Sequence, residues 1–135
     1  MAQAASLSLK LAAEPQNVRQ ARDEAASYAE GLGLSAAGVD DLKTIVSEAC
    51  SNIVRHAYPE DATERPMEVE MEKTDGELTL TVRDSGSGIR PPTGARPNSL
   101  RLGFILMGSL ADFLQLRTGR DRGTELLLRV PLTPA

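Results

Sequence analysis

Two polar side chains four residues apart, Glu48 and Asn52, lie beside an apolar stripe formed by Leu42, Ile45, Val46, Ala49, Ile53 and Ala57. The stripe recurs at steps of three and four residues, the signature of a helix with one side against a core. Residues four apart on such a helix are stacked, about 40° apart around the axis. Glu48 and Asn52 therefore share the shoulder where the apolar side meets solvent. A carboxamide oxygen can ligate a divalent cation and a carboxylate can accept a proton, which is chemistry suited to a metal-phosphate site. Taken alone, the pair is also what an ordinary solvated helix carries. The downstream residues decide its meaning.

Asp84-Ser85-Gly86-Ser87-Gly88 follows an alternating strand directly. Glycines at i+2 spacing permit a tight turn and close approach to bare backbone, and an Asp held by the end of a sheet can accept a hydrogen bond from a base amino group. The glycines do not open a helix inside a strand-helix-strand unit, so this is no dinucleotide fingerprint. Residues 90–101 are rich in Pro, Gly and Arg and read as a loop. Leu102 to Asp112 reads as a helix opening at or near Gly103, whose first amides could receive a phosphate while the preceding loop closes over it. Arg55, His56 and Tyr58 end the Glu48 helix. Arg55 reads as a solvated side chain, with phosphate or partner binding as the alternative. His56 sits near the helix C-terminus, where a protonated form is favoured, and reads as structural as readily as functional, and Tyr58 is assigned to packing. Cys50 sits among Val46, Ile53 and Val54, as a small buried hydrophobe does.

These residues need a scaffold, and the rest of the chain reads as one. Ser6–Leu11 alternates as a half-buried strand, and Val18, Ala21, Ala25, Tyr28, Ala29 and Leu32 form a helical stripe stopped by Gly31 and Gly33. Ser35 can cap the Glu48 helix. Met67, Val69 and Met71 alternate with Glu68, Glu70 and Glu72, then Asp75-Gly76 turns the chain into Leu78, Leu80 and Val82, a hairpin. Phe113–Thr118 and Thr124–Leu132 make a second hairpin. The length of 135 residues, 41% of them hydrophobic, fits one soluble domain, residues 1–135. A net charge of -4 and 3% aromatic content disfavour nucleic acid as partner. No apolar run is long enough to span a membrane, and no basic segment leads into an apolar leader, so the expected location is cytoplasmic. Nothing in the sequence suggests zinc.

Assembled in order, Glu48-x-x-x-Asn52 with Arg55-His56-Ala57-Tyr58, Asp84-x-Gly86-x-Gly88, Leu102-Gly103-Phe104-x-Leu106-Met107-x-x-Leu110-Ala111-Asp112 and Gly123-Thr124 resemble the GHKL ATPase superfamily with its Bergerat nucleotide-binding fold. Within it, the Ser-Glu-Ala-x-x-Asn and His-Ala-Tyr wording is most similar to the anti-sigma-factor serine/threonine kinases. The resemblance spans nearly the whole chain. It implies a two-layer α/β sandwich, with helices on one face of a mixed, largely antiparallel sheet, and ATP held between the helices and a lid. It further implies that Asn52 ligates Mg2+, Asp84 binds the adenine amino group, Gly86 and Gly88 shape the base pocket, Gly103 lies by the phosphates and Thr124 supports the adenine end. Glu48 would be the general base that takes a proton from a serine or threonine hydroxyl of a protein substrate. Phosphoryl transfer needs mainly positioning and charge neutralisation, which such a set supplies.

One position departs from that pattern. Arg101 stands where the family carries the first glycine of Gly-x-Gly, so it either strains a backbone that wants glycine or reaches the phosphates with its own charge. The implied partners are a sigma factor, an antagonist protein bearing an acceptor serine, and a second copy in a homodimer. A module that binds partners without phosphotransfer is the alternative. The catalytic domain of a two-component histidine kinase is disfavoured, because no histidine lies on a separate dimerisation helix.

Overall fold

A computed structural model describes residues 6–86, 99–119 and 123–132. The elements in order are β1 (Ser6–Ala12), α1 (Pro15–Gly31), α2 (Ala36–His56), β2 (Pro66–Thr74), β3 (Glu77–Asp84), α3 (Ser99–Leu110), β4 (Phe113–Gly119) and β5 (Gly123–Pro131). The five strands form a sheet in the order β1-β2-β3-β5-β4, and all four pairings are antiparallel. The expected α/β sandwich is present, and its sheet is antiparallel throughout the described residues.

Local chemistry explains the element ends. Pro15 opens α1 at a position where its missing amide costs nothing. Gly33, at φ 92°, takes the left-handed conformation that turns the chain out of α1. Ser35 caps α2 by accepting a hydrogen bond from Gly38 N–H at 3.1 Å. Between β2 and β3, Asp75 and Gly76 both have positive φ, 44° and 83°, as a two-residue type I′ turn requires.

The two faces of the sheet differ in kind. Met67, Val69, Met71, Leu78, Leu80, Val82, Leu126, Leu128 and Val130 are buried beneath α1 and α2. Each fully buried apolar side chain contributes roughly 1.5–3 kcal/mol, and this layer supplies most of the driving force. On the opposite face, strand register aligns Lys10, Glu68, Arg83, Glu125 and Arg117 in one row of alternating charge. Arg83 centres that row, with Nε 2.7 Å from Glu125, Nη1 3.0 Å from Glu70 and Nη1 3.8 Å from Glu68.

The helix expected to open at Gly103 starts four residues earlier, at Ser99. Gly103 is thus inside α3 and offers no free amide to a phosphate. Its backbone is helical because nothing between Ser99 and Leu110 breaks the helix, and the glycine serves a close approach instead of a cap. Arg101 has helical backbone as well, so the positive-φ strain considered for it does not arise.

Candidate functional site

The site is built where the C-terminal half of α2 crosses the ends of β3 and β5. Alternation along β3 puts Leu78, Leu80 and Val82 inward, and Asp84 is the next inward position; Thr124 likewise continues Leu126, Leu128 and Val130 on β5. Both polar residues therefore lie on the core face, Asp84 with 5% and Thr124 with 6% of its surface exposed. Asn52 is deeper than the shoulder position its spacing implied, at 2% exposed. This side of α2 packs against α3, which converts the shoulder into interior.

Asp84 is held by one oxygen and offers the other. Its Oδ1 accepts hydrogen bonds from Gly86 N–H at 2.9 Å and Thr124 N–H at 3.3 Å. Its Oδ2 is buried without a partner. Burial raises the carboxyl above the usual Asp range, and the two amide bonds oppose that rise. Gly123, at φ 73°, lets β5 begin against Asp84, because any Cβ there would meet the Asp84 carbonyl oxygen at 2.1 Å. Gly86 is needed for a related reason. A Cβ on it would sit 2.0 Å from the carbonyl oxygen of Ala57, so the close approach belongs to the end of α2 and not to a ligand.

At the other end of the site, Glu48 Oε2, Asn52 Oδ1 and Asn52 Nδ2 are also buried without hydrogen-bond partners. Gly103 of α3 lies directly on Glu48, where a Cβ would meet Oε2 at 2.4 Å and Asn52 Nδ2 at 3.7 Å. The adjacent Phe104 faces a cavity lined also by Ala49, Asn52, Ile53, Val82, Asp84, Leu116, Thr124 and Leu126. The cavity holds about 10 Å³, no more than a single water. Beyond Glu48, a wide groove of about 550 Å³ opens between the helices, lined by Arg22, Asp40, Lys43, Thr44, Ser47, Glu48 and Leu106.

An unpaired buried polar group costs roughly 1–3 kcal/mol, so native chains seldom keep four such atoms together without a use for them. The set fits a nucleotide carrying its own cation. No group of three or more His, Cys, Asp or Glu among the described residues could cage a metal. One carboxamide oxygen, that of Asn52, would suit Mg2+, which keeps most of its shell as waters and phosphate oxygens. Apolar walls with a single fixed acceptor suit a purine with an exocyclic amino group.

Of the residues singled out in the sequence, Glu48, Asn52 and Gly103 come together at one end, and Asp84, Gly86 and Thr124 at the other. Gly88 and the Arg101 side chain lie outside the described residues. Arg55 and His56 are exposed on α2, and neither lines the cavity. Cys50 is buried, and its thiol is pushed up to about 12, which removes it as a nucleophile. Gly123 and Phe104 stand in the sequence motifs without a role of their own, and Tyr58 is assigned there to packing. Gly123 had a signal in its Gly-Thr pairing. Phe104 had one in being the aromatic beside Gly103.

Residues 11–130 match the histidine kinase-like ATPase domain. The chain belongs to that family. Among curated relatives, the anti-sigma F factor of Clostridium botulinum strain Eklund 17B is 30% identical, with 91% of this chain and 92% of the relative covered. The anti-sigma F factor of Clostridium acetobutylicum is 31% identical, with 91% of each covered. Among solved structures, the RsbU and RsbW domains of a Mycobacterium tuberculosis protein share the fold at TM-score 0.74 and 20% identity, covering 94% of this chain and 32% of that one. The histidine kinase domain of the Erythrobacter litoralis blue-light activated kinase shares it at TM-score 0.60 and 20% identity, covering 85% of this chain and 61% of that one. No helix among the described residues is long and apolar enough to cross a membrane.

Proposed function

We propose that the chain is an ATP-binding anti-sigma factor with protein serine/threonine kinase activity, which sequesters a sigma factor and phosphorylates the antagonist that would release it. The observation that carries this reading is the set of four unpartnered buried polar atoms, three on Asn52 and Asp84 beside one apolar cavity and the fourth, Glu48 Oε2, next to Asn52 beneath Gly103. Similarity to anti-sigma F factors over nearly their whole length supports the partner class.

In this reading, Asp84 Oδ2 accepts from the adenine amino group, Thr124 supports that end, and the apolar walls take the ring. Mg2+, held by Asn52 Oδ1 and the phosphates, would neutralise charge on the group being transferred. Glu48 accepts the proton of the attacking hydroxyl, which reaches it from the groove beside α2. A cavity of about 10 Å³ cannot take a purine, so nucleotide entry goes with outward movement of α3, whose glycine and phenylalanine cover both ends of the site. The outer side of α3 exposes Leu102, Ile105 and Leu106, the kind of surface a protein partner covers.

The test is phosphotransfer from ATP to the antagonist protein with wild type and Glu48→Gln. A loss of at least about a hundredfold in rate, with ATP affinity kept, is expected if Glu48 is the base. Full activity in the variant would remove that assignment. The seating of α3 on Glu48 favours a second reading, a partner-binding module without phosphotransfer. It predicts no phosphorylated antagonist from either protein. A homodimer and a cytoplasmic location complete the proposal and are checked by sedimentation and by fractionation.

A further inference from the structure

Tyr58 follows α2 and is half-buried. Its hydroxyl donates to the carbonyl of Pro66 at the start of β2 and accepts from Ser85 N–H at 2.8 Å, just past β3. One residue earlier, the Ala57 carbonyl packs on Gly86 so closely that no side chain fits there. One residue before Ser85 is Asp84, and the Gly86 amide is one of the two that hold its Oδ1. The end of α2 thus grips both residues of the turn that fixes the Asp84 carboxylate. Ser85 is itself exposed, so its amide would bond water if the tyrosine did not hold it.

We propose that the Tyr58 hydroxyl is a positioning group for base recognition: by tying Ser85 to the start of β2 it keeps Asp84 Oδ2 aimed into the cavity. The same helix carries Glu48 and Asn52, so Tyr58 sets the base acceptor in register with the phosphate end. This rests on the reading of Asp84 as acceptor for the adenine amino group. Without the hydroxyl the turn keeps its ring packing but loses two hydrogen bonds, so the Gly86 amide holds Oδ1 less firmly, the Thr124 amide alone stays fixed, and the aim of Oδ2 loosens. Recognition of the amino group suffers while the rest of the nucleotide is still held.

The experiment measures affinities for Mg-ATP and for purine riboside triphosphate, which lacks the 6-amino group, in wild type, Tyr58→Phe, Asp84→Asn and the double variant. Tyr58→Phe is expected to weaken ATP about tenfold and the amino-less nucleotide less than about twofold, the cost of one mis-set hydrogen bond. In the Asp84→Asn background the same change should alter ATP affinity less than about twofold, since the acceptor is already lost. Equal weakening of both nucleotides, or none, overturns the proposal. If Asp84→Asn keeps the preference for ATP, the reading of Asp84 fails. If only Asp84→Asn loses that preference, Tyr58 alone is excluded. Independently of any variant's folding, the Ser85 amide of the wild type should exchange slowly with solvent deuterium, and exchange at the free-peptide rate contradicts the hydrogen bond.

Discussion

The two sides of α2 have been put to opposite uses. Toward α1 and the sheet it presents Leu42, Ile45, Val46 and Ala49, and fully buried Ala21, Ala25 and Ala29 line the facing helix. Small side chains let α1 close on α2, and none of these side chains carries a polar atom that needs a partner. Toward α3 the same helix presents Glu48 and Asn52 with three unpartnered atoms, covered by a glycine. One side maximises burial and the other leaves energy unused. Folding stability and ligand chemistry are thus separated by only about a quarter turn of one helix, and substitutions on the two sides should have opposite signatures.

The largest effect on stability is expected for Leu42→Ala, which removes a fully buried side chain on the packed side. A loss of about 2–5 kcal/mol in denaturant unfolding is expected, with nucleotide affinity of the folded protein nearly unchanged. Gly103→Ala comes next and acts in the opposite sense. Helix propensity favours alanine by about 1 kcal/mol, yet the new Cβ must push the Glu48 carboxylate aside. Unfolding free energy should move by no more than that, while phosphotransfer falls at least about tenfold.

Asp84→Asn sharpens the comparison through pH. Asn keeps an acceptor for the Gly86 and Thr124 amides but carries no buried charge, so at neutral pH the variant should be as stable as wild type or slightly more so. The carboxyl is raised in the folded protein, so between the unfolded value and the raised one the native state binds more protons. Stability of the wild type therefore gains as pH falls through that window and loses as pH rises through it. The advantage of the variant should disappear at acid pH, seen in melting temperature against pH. ATP affinity of the wild type should fall in the same window, as Oδ2 becomes protonated. Smallest is Arg83→Ala in the outer charge row, where solvent screens the contacts and the loss should be under about 1 kcal/mol.

Much of the fold was legible because its elements follow local rules. The β2–β3 turn was written in Asp75-Gly76, the start of α2 in Ser35, and the strands in their two-residue alternation. The start of α3 was legible only in part: Pro97-Asn98 precede its first residue, yet the sequence reading opens the helix too late, at Gly103, a glycine that answers to a tertiary contact. The site was legible in its chemistry and less so in its depth. Helical spacing put Asn52 at a shoulder, and only the packing of α3 makes that shoulder interior. Gly86 carried the right residue for a different partner, the Ala57 carbonyl. Tyr58 gave no local signal, because both of its hydrogen-bond partners are distant in sequence, at Pro66 and Ser85.

The central claim is that the unpartnered atoms of α2 and β3 receive a nucleotide. Calorimetric titration of Mg-ATP into wild type and Asp84→Asn tests it most directly. Saturable binding by the wild type, weakened at least about tenfold in a variant that melts no lower, is the predicted result. A folded wild type that shows neither heat nor thermal stabilisation at high Mg-ATP would contradict the nucleotide site and leave partner binding as the function of the chain.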